Sequence, residues 1–102
     1  GIRLESNIKA TSYSQGKITA SGKPVDIYHI SVSRDLFEKW GGNFGKRLIL
    51  FEKKDEKIYL IGHYLIQDLM AKRITRTVDI YMKSEIESKH FGVKKSCVAI
   101  VY

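Results

Sequence analysis

The chain has 102 residues, of which 43% are hydrophobic and 28% charged. That is enough for one hydrophobic core but not two, and too apolar for a disordered polymer. No apolar run approaches membrane-spanning length, and a single cysteine, Cys97, excludes a disulfide framework or a cysteine-based zinc site. His29, His63 and His90 are too scattered for a histidine metal cage, so neither metal nor cofactor is expected. The net charge of +7 favours polyanionic partners: nucleic acid, anionic lipid surfaces or acidic wall polymers. Gly1 in place of an initiator methionine fits an export signal already removed as well as it fits a boundary within a longer chain.

In chain order, residues 4–13 (LESNIKATSY) read as a strand, followed by turn chemistry at Ser14-Gln15-Gly16-Lys17. Residues 18–25 (ITASGKPV) read as a brief extended piece broken by Ser21-Gly22. Residues 27–32 (IYHISV) alternate as a half-buried strand does. A helix follows, with Ser33 as its cap, Asp35 in its first turn and an apolar stripe of Leu36, Phe37 and Trp40. Gly41-Gly42 stops it. Residues 47–52 and 58–67 are strands joined by a charged turn at 53–57, and 77–82 is a further strand. Ser84-Glu85-Ile86-Glu87 is a capping box that opens a short helix ending at Phe91-Gly92, and 97–101 closes the chain as a strand. About six strands in so short a chain point to a small closed barrel, because closure removes vulnerable edges.

Two carboxylates stand out. Asp68 ends the strand IYLIGHYLIQ, and Asp79 lies inside TVDIYM between Val78 and Ile80. An acid in a β-branched strand needs a solvent-facing side or a chemical role. The intervening loop carries Lys72, Arg73 and Arg76, and it could fold back to bring the two acids together. A carboxylate pair over a cleft suits glycosidic cleavage, and an aspartate–arginine ion pair is the plainer alternative.

The ordered segments ATSYS, ITASGKPV, ISVSRDLF, FGKRLIL, IQD, RTVDIYM and FGVKKSCVAIV together resemble the three-aspartate, or 3D, domain. That domain occurs in the membrane-bound lytic transglycosylase A group and in secreted stationary-phase wall proteins of bacteria. The resemblance implies a mainly β fold, a six-stranded double-psi β-barrel with two short helices spanning residues 1–102. It implies an extracytoplasmic monomer acting on peptidoglycan, with no nucleic-acid partner. Asp79 would be the acid/base: it protonates the β-1,4 glycosidic oxygen and then takes the proton of the C6 hydroxyl, leaving a 1,6-anhydro sugar. Asp68 would raise the pair's upper pKa and stabilise positive charge on the sugar.

Further residues follow from the same likeness. Tyr13 would contact ligand or pack at the barrel mouth. Thr19 and Ser21 would line the groove or simply build a turn around Gly22. Gln67 could hydrogen-bond an N-acetyl group, and Lys72, Arg73 and Arg76 could hold murein carboxylates. The sequence departs from the family pattern at Leu69-Met70-Ala71-Lys72-Arg73, where glycines are usual, and Ser33 stands at the third aspartate. These departures suit the alternative of a non-catalytic wall-glycan-binding barrel. A nucleic-acid barrel rests on charge alone, without the interleaved exposed aromatics that would support it. Trp40, His29, His63 and Cys97 read as packing residues, and His90 as a helix C-terminal residue.

Overall fold

The computed structural model describes residues 1–15 and 19–102. Six strands are present: β1 (Arg3–Tyr13), β2 (His29–Val32), β3 (Arg47–Lys54), β4 (Lys57–Leu69), β5 (Thr77–Tyr81) and β6 (Lys94–Val101). Helix α1 (Arg34–Lys39) follows β2, and α2 (Glu85–Phe91) follows β5. The strands close into a barrel in the order β1-β5-β2-β4-β3-β6. β1 pairs in parallel with β5, and β2 with β4; every other pairing is antiparallel. β1 and β2, consecutive in the chain, lie on either side of β5, while β4 and β5, also consecutive, lie on either side of β2. These two interlocked crossings are the double-psi arrangement, so the mainly β barrel with two short helices stands as expected.

Alternation explains the interior. Ile8 and Ala10 of β1, Ile30 and Val32 of β2, Leu48 and Leu50 of β3, Val78 and Ile80 of β5, and Cys97, Ala99 and Val101 of β6 all point inward and are fully buried. Leu36 and Trp40 seal one end from α1, as the stripe predicted. Trp40 is the C-cap, and the chain then turns through Gly41 (φ 106°) and Gly42 (φ 68°), conformations in which a Cβ is strained. The capping box at α2 is also as read, with Ser84 Oγ accepting from the Glu87 N–H at 3.2 Å.

Several expectations are corrected. β2 is shorter than 27–32, and all four of its residues are buried rather than half of them. Its outward-facing His29 and Ser31 are covered because β2 is embedded in the crossings. Residues 19–28 form turns and bends with an isolated bridge at Pro24, not an extended piece. The part of the turn at Gly16-Lys17, and Ile18, lie outside the described residues. Ser33 precedes α1 without capping it by its side chain; its Oγ accepts from the Thr77 N–H at 3.1 Å and ties β5 to the helix start. The β3–β4 turn tightens to Asp55-Glu56, whose φ values of 51° and 63° match the right-handed twist of the arm. β4 runs on through Asp68 to Leu69, and β6 begins at Lys94.

Candidate functional site

Register builds the site. Across four neighbouring strands, Thr11 faces Asp79, Asp79 faces Ser31, and Ser31 faces Asp68. The two carboxylates therefore flank a single buried serine on the outer face, one on each side of β2. Neighbouring strands are about 4.8 Å apart, so their backbones stand about 10 Å from each other. Asp79 faces outward because Val78 and Ile80 take the inward positions. Asp68 reaches the row through a bulge: Ile30 pairs with Ile66, but Ser31 pairs with Asp68, leaving Gln67 as an extra residue. Without that extra residue Gln67 would sit opposite Ser31 and Asp68 would turn to the other face.

The two acids occupy different surroundings. Asp68 Oδ1 accepts from the backbone N–H groups of Ala20 and Leu69, each at 2.9 Å. Among the described residues Asp79 Oδ1 accepts one bond, from the Thr11 hydroxyl at 2.8 Å. Burial pushes the Asp79 carboxyl above the usual aspartate range; the Thr11 hydroxyl opposes this and the Asp68 charge adds to it. One acid is thus wrapped in donors, and the other is biased toward holding its proton.

Tyr13 completes the cluster. It faces Tyr81 in the next layer of the same two strands, with ring centroids 5.5 Å apart in an edge-on arrangement. Burial raises its pKa, helped by the charges of Asp68 and Asp79 and by Tyr81, so it remains a neutral donor. Its hydroxyl oxygen is buried and has no hydrogen-bond partner among the described residues. A buried unpaired hydroxyl costs on the order of 1–3 kcal/mol. Tyr13→Phe is accordingly expected to hold or raise stability by up to about 1 kcal/mol, measured by urea unfolding.

The other sequence-derived residues divide. Thr19 Oγ1 donates to the Lys23 carbonyl at 2.8 Å and lies 2.8 Å from Ser21 Oγ, while the Ser21 N–H donates to the Gln67 carbonyl at 3.1 Å. These bonds shape the turn that aims the Ala20 N–H at Asp68, so both residues act on the site through the backbone. Gln67 is buried at the bulge. The basic loop does not reach the carboxylates. Arg76 points away, its guanidinium bonding the Glu5 carboxylate at 2.9 Å and the carbonyls of Ser6 at 2.6 Å and Asn7 at 3.3 Å. Its expected role beside the acids is corrected to a structural clamp. Lys72 and Arg73 are exposed at the barrel end where β2 and β4 finish, with no ion pair among the described residues. Sequence reasoning missed Thr11 and Ser31; the signal available was a hydroxyl at the outward position of each strand, legible only once the register is known.

No protein-family profile and no curated protein matches this sequence. Among solved structures it is similar to the Streptomyces papain inhibitor, with a TM-score of 0.64 and 12% identity over 97% of this chain and 94% of that one. At that identity the likeness is one of fold alone.

Proposed function

We propose that this barrel acts on peptidoglycan glycan strands in an extracytoplasmic setting, as a monomer, with Asp79 as the acid/base of a lytic transglycosylation. The observation that carries the reading is the asymmetry of the carboxylate row: an Asp79 whose half-burial favours its protonated form and a donor-wrapped Asp68 on either side of Ser31. The protonated carboxyl of Asp79 gives its proton to the glycosidic oxygen as the bond from C1 breaks. The sugar's own C6 hydroxyl then closes on C1, and its proton returns to Asp79. Water is not consumed, and the residue ends in the protonation state in which it began. Asp68 supplies negative charge near the electron-poor C1.

Incubation with purified murein sacculi tests this directly. Release of anhydro-muropeptides, seen by mass spectrometry, is the expected result. Binding to sacculi without release would leave the non-catalytic wall-binding barrel in its place.

A second reading, engagement of another protein, is favoured by the β3–β4 arm, on which Ile58, Tyr59 and Leu60 stand 61%, 50% and 58% exposed. The likeness to a papain inhibitor gives that reading a convenient probe. Stoichiometric loss of papain activity, abolished by Tyr59→Ser, would support it.

A further inference from the structure

The β3–β4 arm has one edge that no strand covers. β3 pairs with β4 from Lys57 to Leu65, but β2 takes up the other side of β4 only from Leu65 onward. The Leu65 N–H donates to the Tyr28 carbonyl at 2.7 Å; upstream, no backbone bond reaches that side of Lys57–Tyr64 among the described residues. Edges of this kind are normally blunted by charge, proline or a covering segment, because they template pairing with another chain. Lys57 is the only Lys, Arg, Asp or Glu in the stretch KIYLIGHY, which has no proline. Its Ile58, Tyr59 and Leu60 are largely exposed, and an extra residue, Ile61, bends β4 at the root of the arm.

The shape of the partner follows. Side chains 58 and 60 project to one face of the arm and 59 to the other, so a flat surface would cover one face and leave the backbone edge open. An extended segment laid along the edge takes up the backbone donors and acceptors and sets its own side chains beside both faces.

The two ends of the edge set the partner's charge. Where the edge meets β2 lies a cavity of about 280 Å³, lined among others by Tyr28, Arg47, His63, Tyr64 and Leu65. No Asp or Glu lines it, and Arg47 is exposed without an ion pair among the described residues. At the tip, Asp55 and Glu56 are outnumbered by Lys53, Lys54 and Lys57. A second copy of this chain, with its net charge of +7, is repelled, whereas an acidic segment is attracted.

We propose that the Lys57–Tyr64 edge of β4 binds an extended acidic segment of another protein, which joins the sheet as a strand and sets a carboxylate side chain at Arg47. This binding mode rests on the second reading above and names what the partner supplies. Failure against papain would remove that protease as the partner; failure of the peptides below would remove the edge.

The test is titration of the protein with acetyl-Thr-Val-Thr-Val-Thr-Val-amide and with versions carrying one added Glu at either end. A fourth peptide has every amide N-methylated. Amide NMR shifts and hydrogen exchange follow the protein backbone. Shifts and slowed exchange are expected within Lys57–Tyr64, with Thr11 and Ser31 unmoved. One of the two Glu peptides should bind about threefold more tightly than the neutral one, the favoured end giving the strand direction. The N-methylated peptide, which keeps its side chains but has no donors, should not bind. In Arg47→Gln the advantage of Glu should vanish while the neutral peptide binds as before. Shifts elsewhere but not on this edge, equal binding by the N-methylated peptide, no gain from Glu at either end, or pairing of the protein with itself in place of the peptides would each overturn the proposal.

Discussion

Replacing Asp79 by asparagine is expected to reduce anhydro-muropeptide release by about 10³-fold and, at the same pH, to make the folded protein more stable. Both effects have one cause. Asp79 is half-buried with a single hydroxyl donor, and its carboxyl titrates above the normal aspartate range because burial and the charge of Asp68 disfavour the anion. A group whose folded pKa is raised contributes its stability when protonated, and that contribution is lost as pH rises through the folded value. Once ionised, Asp79 is a desolvated anion that the amide never becomes, while the amide Oδ1 still accepts from Thr11. Urea midpoints should favour Asp79→Asn by about 1 kcal/mol above the folded Asp79 pKa, and the two curves should converge on acidification as Asp79 takes up its proton. Asp68→Asn separates charge from acid. With the neighbouring anion gone, Asp79 loses its proton at lower pH, so the alkaline limb of the pH–rate profile should move toward acid while activity persists. Release that survives in Asp79→Asn would end the acid/base assignment.

The parts of this molecule that were readable in advance depend on neighbours in sequence, and the unreadable parts depend on neighbours in space. Period-two apolar patterns located most of the strands, and Leu36, Phe37 and Trp40 marked the inner face of α1. The Ser84–Glu87 box marked the start of α2. Asp68 and Asp79 were conspicuous as acids among β-branched residues. The device that aligns them was not: one extra residue in β4, Gln67, has no local sequence signature and appears only against β2 as partner. Ser31 shows the same limit. Its exposure of 4% comes not from its own strand's pattern but from the crossings that embed β2. Ser33 had the right residue type and place for a cap, yet a partner 44 positions away claimed its hydroxyl. Register and long-range capture are properties of the closed barrel, so an acid pair could be suspected from the chain but its geometry could not.

The basic loop gives the sharpest case of that limit and the second large effect. Arg76→Ala is expected to cost about 2 kcal/mol of stability, whereas joint replacement of Lys72 and Arg73 by alanine should change it by less than about 0.5 kcal/mol. Glu5 has a side chain only 9% exposed and lies beside irregular pairing in β1, where Asn7 takes a φ of 57°. Its carboxylate is held by Lys39 and Arg76, each at 2.9 Å, and Arg76 also bonds two carbonyls of the same segment. Truncating Arg76 leaves a largely buried anion with one partner and two carbonyls without theirs, while the Lys72 and Arg73 side chains reach only solvent. Acid should reveal the same clamp. Burial pushes the Glu5 carboxyl up, but the bonds from Lys39 and Arg76 more than reverse this, so it titrates below the ordinary glutamate range. Asp35 is also lowered: burial raises it, and the Ser33 hydroxyl with the Arg76 and Leu36 N–H groups outweighs that. Groups with lowered folded pKa values stabilise the protein above the unfolded carboxylate range and lose that contribution as pH falls through the folded values. The Arg76 N–H that holds Asp35 belongs to the backbone and persists in Arg76→Ala, so the difference between the two proteins reflects Glu5, and it should be full at neutral pH and shrink steadily in acid. Sacculus binding, in contrast, should follow the carboxylate row and be indifferent to Arg76. If Arg76→Ala kept its midpoint but lost its hold on sacculi, the arginine would be a ligand contact after all, and the carboxylate row would need a different polymer path across the barrel.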